Sequence, residues 1–529
     1  LFSKFHATIF CSSVGLNENR LLLVQAQERL TKLSGSEART SVRTLLATAE
    51  PLSLSATATT LESSSASLRK ELGFLDLVLA SILLVVIPDF FGTAAKAGSA
   101  HVLLWLIAIA TFFIPQALVV THLNRCMPME GGLYEWARHA FGDALGFLVA
   151  WNLWLYIVLY VASIGLVVTT YGAYALGLDA DTTTSNKWIV LAVSVVIIGV
   201  LMLLAHLGLR VGKWVTNAGS ALTILIIVFL AALPFFHPGR GTLHEYHPLH
   251  IVAPPLTLFS FSVFSKMTFG ALCGFEYAAI FAGESRNPAK HLSRAILIAA
   301  PIIALLYIFG TSAILAYVSP DQIDVIGPVP QALRVALDGS PLARLIVPLA
   351  ILLLLTNYFS SFSLGFAANT RLPMCAGWDH LLPKWFTRLH PKYRTPVNSI
   401  LFLGVITLFA STTVLIGVGQ QEAFELLQIW GFTFYAIAYL ALFAIPLLAA
   451  KSGAFRSPAW LRILALSGLL LTLLFVVLSV FPIIRVESET AYTWKTIGVL
   501  AAANLAGLVL YRLRPSASTS RLAGQTSLE

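Results

Sequence analysis

The chain predicts an all-α integral membrane protein of twelve transmembrane helices, ten of them forming two related halves of five. Three observations carry this prediction. Of 529 residues, 57% are hydrophobic and only 11% charged, too few charges to cover a water-soluble domain of this length. Twelve apolar runs are long enough to cross a hydrocarbon core of ~30 Å, which takes about 20 helical residues. Lys and Arg favour alternate connecting segments by about 19 to 7, as the positive-inside rule requires. The net charge of +9 therefore reports topology: the basic residues fall in short clusters between apolar runs and form no nucleic-acid patch. The macromolecular partner is the lipid bilayer.

In chain order, residues 1–70 come first, rich in Ser, Thr, Ala and Leu and without a run long enough to span. The stretch "SLSATATTLESSSASLRK" (53–70) reads as a disordered cytoplasmic tail. Spans at 74–97, 102–123, 141–176, 187–207 and 213–236 make a first repeat, residues 71–240. Spans at 258–283, 292–318, 341–373, 397–417 and 422–449 make a second, residues 241–450. Two more, 458–483 and 492–513, fill residues 451–513, and 514–529 is a cytoplasmic C-terminal tail. With the basic clusters inside, both termini are cytoplasmic, and the expected location is the plasma (inner) membrane. The four cysteines have no C-x-x-C spacing, so no disulfide framework is expected.

Spans five apart match. The first and sixth are both interrupted, by "IPDFFG" (87–92) and "GALCGFE" (270–276), and the third and eighth are both unusually long. Because five is odd, the second half enters the membrane from the opposite side, so the repeat is inverted. A broken helix frees backbone groups that find no water in lipid, and it survives where it lines a cavity. The paired breaks thus mark a central site at Ile87, Pro88, Asp89, Phe90 and Gly92, facing Gly270, Cys273 and Gly274. Pro88 cannot donate a backbone hydrogen bond, and with Gly92 it is expected to unwind the first helix. Asp89 stands at that break, where a charge costs roughly 2.5–3.5 kcal/mol on insertion scales and marks function.

Three blocks carry a resemblance: "LNRCMPMEGGLYEWARHAFGDALGF" (123–147), "GFEYAAIFAGESRNPAKHLSRAI" (274–296) and "ANTRLPMCAGWDHLLPKWFTRLHPKYRTPVNSI" (368–400). In order and spacing the chain resembles the amino acid-polyamine-organocation (APC) superfamily of permeases over roughly residues 70–450. That resemblance implies a LeuT/APC-like fold, a 5+5 inverted repeat with discontinuous helices 1 and 6. Two departures stand out. The Gly-rich first-helix break of the family is here Ile87-Pro88-Asp89-Phe90, and its Arg-Asp-Gly before Leu-Leu-Pro is here Trp378-Asp379-His380. The first departure removes the bare backbone that usually takes a substrate carboxylate.

Individual residues have competing readings. Glu276 opens the inner half of the sixth helix, either as a gating or proton-linked carboxylate or as a cap holding the break. Glu284, beside Asn287-Pro288, is placed at an inner gate. Lys266 either snorkels outward or pairs with Asp89. Tyr156 and Tyr160, one turn apart in "WNLWLYIVLY", line the site or pack, and so does Trp430 in "QIWGFTFY". Ser360 and Ser361 in "TNYFSSFSLG" are weak sodium ligands or bond to their own helix. His237, His244, His247 and His250 lie in one outer loop without zinc geometry.

No G-x-x-x-x-G-K-[ST] phosphate loop occurs, no sizeable soluble catalytic domain follows residue 70 and the short outer loops lack a nucleophile–base pair, so neither ATP-driven transport nor an enzyme is predicted, and no cofactor is expected. The resemblance implies a secondary active transporter that moves an amino acid or amine by alternating access, proton-coupled or exchanging, with sodium the other coupling ion. The alternative from another class is a transporter-like amino acid or amine receptor that signals without transport. Asp89 favours a solute whose amine is positive and whose carboxylate is absent, distant or masked. Monoamine transporters of the same general fold carry a first-helix Asp with that role, which supports the idea by analogy.

Overall fold

Pro88 stops the first helix as expected, and Gly92 does not take part. The computed structural model describes residues 73–127, 132–207, 212–236, 250–276, 288–341, 343–375, 388–390, 393, 395–416, 418–448 and 457–513. Both tails, Glu284, His237, His244, His247 and the Trp378-Asp379-His380 segment lie outside the described residues. Helix α1 (Phe74–Val85) ends in Val86 with extended backbone, and α2 (Asp89–Ala95) starts directly after Pro88. Only 86–88 are unwound, since the residue before a proline avoids helical backbone and the proline itself suits the start of the next helix. Gly92 sits inside α2, where a Cβ would come 2.9 Å from the Pro328 side chain. Its missing side chain serves close packing rather than unwinding.

Helix α3 (Gly98–Cys126) contains a π-helical turn, Ile109–Phe113. Pro115 has no N–H for the Thr111 carbonyl, and Ser467 Oγ donates to that oxygen at 2.7 Å instead. The short α4 (Leu133–Phe141) lies between two spans and buries Tyr134, Glu135 and Trp136. Burial pushes the Glu135 carboxyl up from its ordinary range, and Arg138 opposes that shift.

Helix α5 (Asp143–Leu176) is the long third span, with an irregular turn at Ser163, and the small α6 (Ala180–Ser185) follows it. Next come α7 (Lys187–Leu207) and α8 (Gly212–Phe236). Helix α9 (Leu258–Leu272) then stops at Cys273 and Gly274, and the chain turns helical again at Phe275. Gly274 has φ +123°, a conformation that glycine alone adopts readily, so the second break is set by one residue type.

The remaining helices are α10 (Pro288–Leu315), α11 (Pro328–Ala336), α12 (Ala343–Cys375), α13 (Val397–Val414), α14 (Gln420–Leu448), α15 (Ala459–Leu478) and α16 (Glu489–Arg512). Among the described residues nine helices are long and apolar enough to cross a membrane. Three shorter apolar ones, Phe74–Leu83, Ala221–Phe236 and Leu258–Leu272, belong to α1, α8 and α9. Two of these three are the broken helices, whose length is divided by the breaks. Helices α5 and α14 form the most buried part of the bundle, whereas α16 is largely exposed and meets α5 through Trp151 Nε1 to the Ala503 carbonyl at 2.9 Å.

Candidate functional site

Both breaks need partners for the backbone groups they release. Tyr307 on α10 serves the two together: its hydroxyl accepts Ile87 N–H at 3.1 Å. It lies 2.7 Å from the Val85 carbonyl oxygen and 3.1 Å from that of Ala271, its one hydrogen going to either. On the other side, Gly274 N–H donates to the Tyr439 hydroxyl at 2.8 Å. Tyr439 and Tyr435, one turn apart on α14, both donate to the Glu276 carboxyl. Gln116 Nε2 adds a bond to Tyr439 at 2.7 Å, so α3, α14 and the second break form one polar network.

Asp89 is buried in the first turn of α2, where a carboxylate meets the positive end of the helix. It accepts from the Tyr358 hydroxyl and, at 3.2 Å, from Gln428 Nε2. Because Tyr358 spends its hydrogen on Asp89, Tyr171, 3.1 Å away, is the donor of that second pair. Gln428 is itself buried, and its Oε1 has no hydrogen-bond partner among the described residues. Asp89 has no cationic partner among the described residues.

Asp89 and Gln428 border a cavity of about 20 Å³, the room of roughly one water or one ammonium head. Its wall comprises Asp89, Phe90, Thr93, Lys266, Gly270, Val325, Phe424, Glu425, Gln428, Ile429, Phe432, Phe475 and Ile483. At Gly270 a Cβ would come 2.2 Å from the Phe90 ring, so the two broken helices touch there only because that side chain is missing. A wider cavity of about 970 Å³ opens above Asp324, lined by Tyr174, Asp179, Asp181, Asp321, Arg334 and others. Asp324 is on the wall of this wider cavity, held by Tyr174 at 2.9 Å and by Gln421 at 2.9 Å, and its neighbour Val325 is on the wall of the smaller one.

The cavity wall thus brings together Asp89, Phe90 and Gly270 of the expected residues. Ile87, Pro88, Cys273 and Gly274 form the breaks beside it, Cys273 with its Sγ 3.6 Å from the Gly270 carbonyl. Other expectations need correction. Trp430 does not reach the cavity: Glu425, Gln428, Ile429 and Phe432 hold one face of α14, and two residues past Gln428 the helix has turned away. Its indole N–H donates to Thr496 on α16 at 3.2 Å. Tyr156 and Tyr160 stand behind the wall, Tyr156 stacked on Tyr435 at 4.3 Å and Tyr160 against Phe362 at 4.7 Å.

Lys266 neither snorkels nor pairs with Asp89. It is buried, and its Nζ donates to Glu425 Oε1 at 2.7 Å and to the Phe481 carbonyl at 2.8 Å. Ser360 Oγ bonds to the Thr356 carbonyl of its own helix at 2.6 Å and packs on Gly219 of α8; neither Ser360 nor Ser361 is on the cavity wall. Among the described residues no cluster of three or more His, Cys, Asp or Glu is suited to hold a metal ion.

Tyr307, Tyr358, Glu425, Gln428, Tyr435 and Tyr439 were not expected at the site. A signal existed for two of them: Glu425 and Gln428, three apart within the predicted tenth span, are polar groups at membrane depth.

The sequence profile described as amino acid permease matches residues 72–502. A transporter of Legionella pneumophila without assigned substrate is 27% identical over 380 residues, covering 71% of this chain and 80% of the relative. A probable agmatine/putrescine antiporter of Lactococcus lactis is 24% identical, covering 63% and 70%. A branched-chain amino acid permease of Bacillus subtilis is 24% identical, covering 69% and 80%. Among solved structures, the fold is similar to that of MhsT in complex with L-phenylalanine, with a TM-score of 0.57, 15% identity and coverage of 78% and 98%. With a profile that runs from the first helix into the last, the chain belongs to the amino acid permease family.

Proposed function

We propose that the chain is a secondary active transporter that moves a small amine-bearing solute across the plasma membrane by alternating access. It does so with twelve spans, two inverted five-helix halves and cytoplasmic termini. The observation that carries this reading is Asp89: a buried carboxylate at a helix break, without a cationic partner among the described residues, beside the unpartnered Gln428 Oε1. An ammonium group supplies donors to both. A free α-carboxylate meets repulsion at Asp89, and Lys266 is committed to Glu425, so the favoured solute has its carboxylate absent, distant or masked. The relative named as an agmatine/putrescine antiporter supports an amine. Asp89 and Glu276, both carboxyls at membrane depth, support protons over sodium as the coupling ion, with Glu276 at the second break as the gating group.

The branched-chain permease supports a second reading, in which ordinary amino acids bind at the half-helix N-termini and Asp89 carries only the coupling proton. Counterflow in proteoliposomes separates the two. With amines, polyamines and amino acids as internal solutes, amines are expected to drive uptake of labelled amine. Counterflow with amino acids alone defeats the amine reading, and binding without any counterflow defeats transport. Topology has its own check: single cysteines placed in 376–396 are expected to react with membrane-permeant reagents only, and labelling from outside overturns the orientation.

A further inference from the structure

We infer that Lys266 fixes the number of positive charges the site accepts, limiting the solute to a primary amine with one charge on an apolar body. This rests on the reading that Asp89 holds the amine. Three ionisable groups stand on the cavity wall: Asp89, Glu425 and Lys266. Lys266 is held at 2.7 Å by Glu425 of α14 and at 2.8 Å by the Phe481 carbonyl, in the segment joining α15 to α16. Two anchors from separate parts of the chain hold its ammonium on Glu425, whose charge it cancels.

Among the described residues the wall is left with one uncompensated carboxylate, that of Asp89, next to the unpartnered Oε1 of Gln428. Two acceptors and about one water's volume suit a single ammonium head. A second ammonium on the same solute finds no counter-charge and faces Lys266, and in a water-poor site that penalty is far larger than in bulk. A zwitterion brings a carboxylate for which no free cation stands on the wall. Phe90, Phe424, Phe432 and Phe475 complete the wall with apolar surface; the cavity as it stands has room for the ammonium head alone, so an apolar body enters only when these rings move apart. Lys266 does not touch the amine; it selects by removing a charge.

The test uses the purified full chain and three probes built on one ring: phenethylamine, p-xylylenediamine and phenylalanine, each measured by equilibrium binding at fixed pH. Wild type is expected to prefer phenethylamine. Lys266→Met leaves two free carboxylates, and the diamine is expected to gain on phenethylamine by about tenfold or more. Glu425→Gln leaves Lys266 to cancel Asp89, and phenethylamine is expected to lose about tenfold or more while phenylalanine gains on it. The double variant restores the charge count and, with it, the wild-type order. A packing role for the pair would not reverse selectivity in opposite directions and then restore it. The same order in all folded variants overturns the inference while leaving the reading of Asp89 intact. A wild type that binds no amine overturns that reading itself. Where Lys266→Met does not fold, Glu425→Gln and the double variant decide.

Discussion

Replacing Asp89 with Asn removes the binding of a primary amine measured without any ion gradient. Removing one partner of a buried, hydrogen-bonded charge pair costs about 2–5 kcal/mol, so affinity falls at least ~30-fold. Asn has nearly the volume of Asp and keeps an acceptor for Tyr358, so the wall between α2, α12 and α14 is retained. The amide of Gln428, which donates to Asp89 at 3.2 Å, keeps a carbonyl partner only if Asn turns its oxygen that way. The lost quantity is therefore charge, with little change in shape. Equilibrium binding of labelled phenethylamine to Asp89→Asn checks this. Intact binding and exchange, with only proton-driven accumulation lost, assigns Asp89 to the coupling proton and defeats amine recognition.

The parts of this site that could be read from sequence are those that chemistry makes conspicuous in lipid. Pro88 with Asp89 inside an apolar run, and Gly274 in the matching run five spans later, mark the two breaks, while Gly270 stays helical and serves close packing. The rest depends on which helices meet. Tyr307, Tyr358 and Tyr439 look like ordinary apolar-helix aromatics, and only packing turns their hydroxyls toward Val85, Asp89 and Glu276. Lys266 is conspicuous, yet its partner is not Asp89. Glu425 lies on a helix of the second half, and the Phe481 carbonyl belongs to a segment after the tenth span. Helical phase explains Trp430: depth in the membrane was legible, but the direction of its side chain depends on the face of α14 that meets α2.

Tyr307→Phe is expected to lower stability more than any other conservative change at the site. The ring is held independently of its hydroxyl, stacked on Trp105 at 4.6 Å and against Phe91 at 5.1 Å, so Phe fills the same space. What disappears is the one oxygen that accepts Ile87 N–H and gives its hydrogen to the Val85 or Ala271 carbonyl. Each buried polar group left without a partner costs about 1–3 kcal/mol, so losing one acceptor and one donor costs about 2–6 kcal/mol. In lipid the released groups have no water to turn to, and the two breaks lose the hydroxyl that hydrogen-bonds to both. The midpoint of thermal inactivation should fall by several degrees, and transport of every solute should slow together. Asp89→Asn differs by acting on charged solutes while leaving the midpoint near wild type. A Tyr307→Phe protein with wild-type midpoint and wild-type counterflow would show that the breaks hold their shape without this bridge.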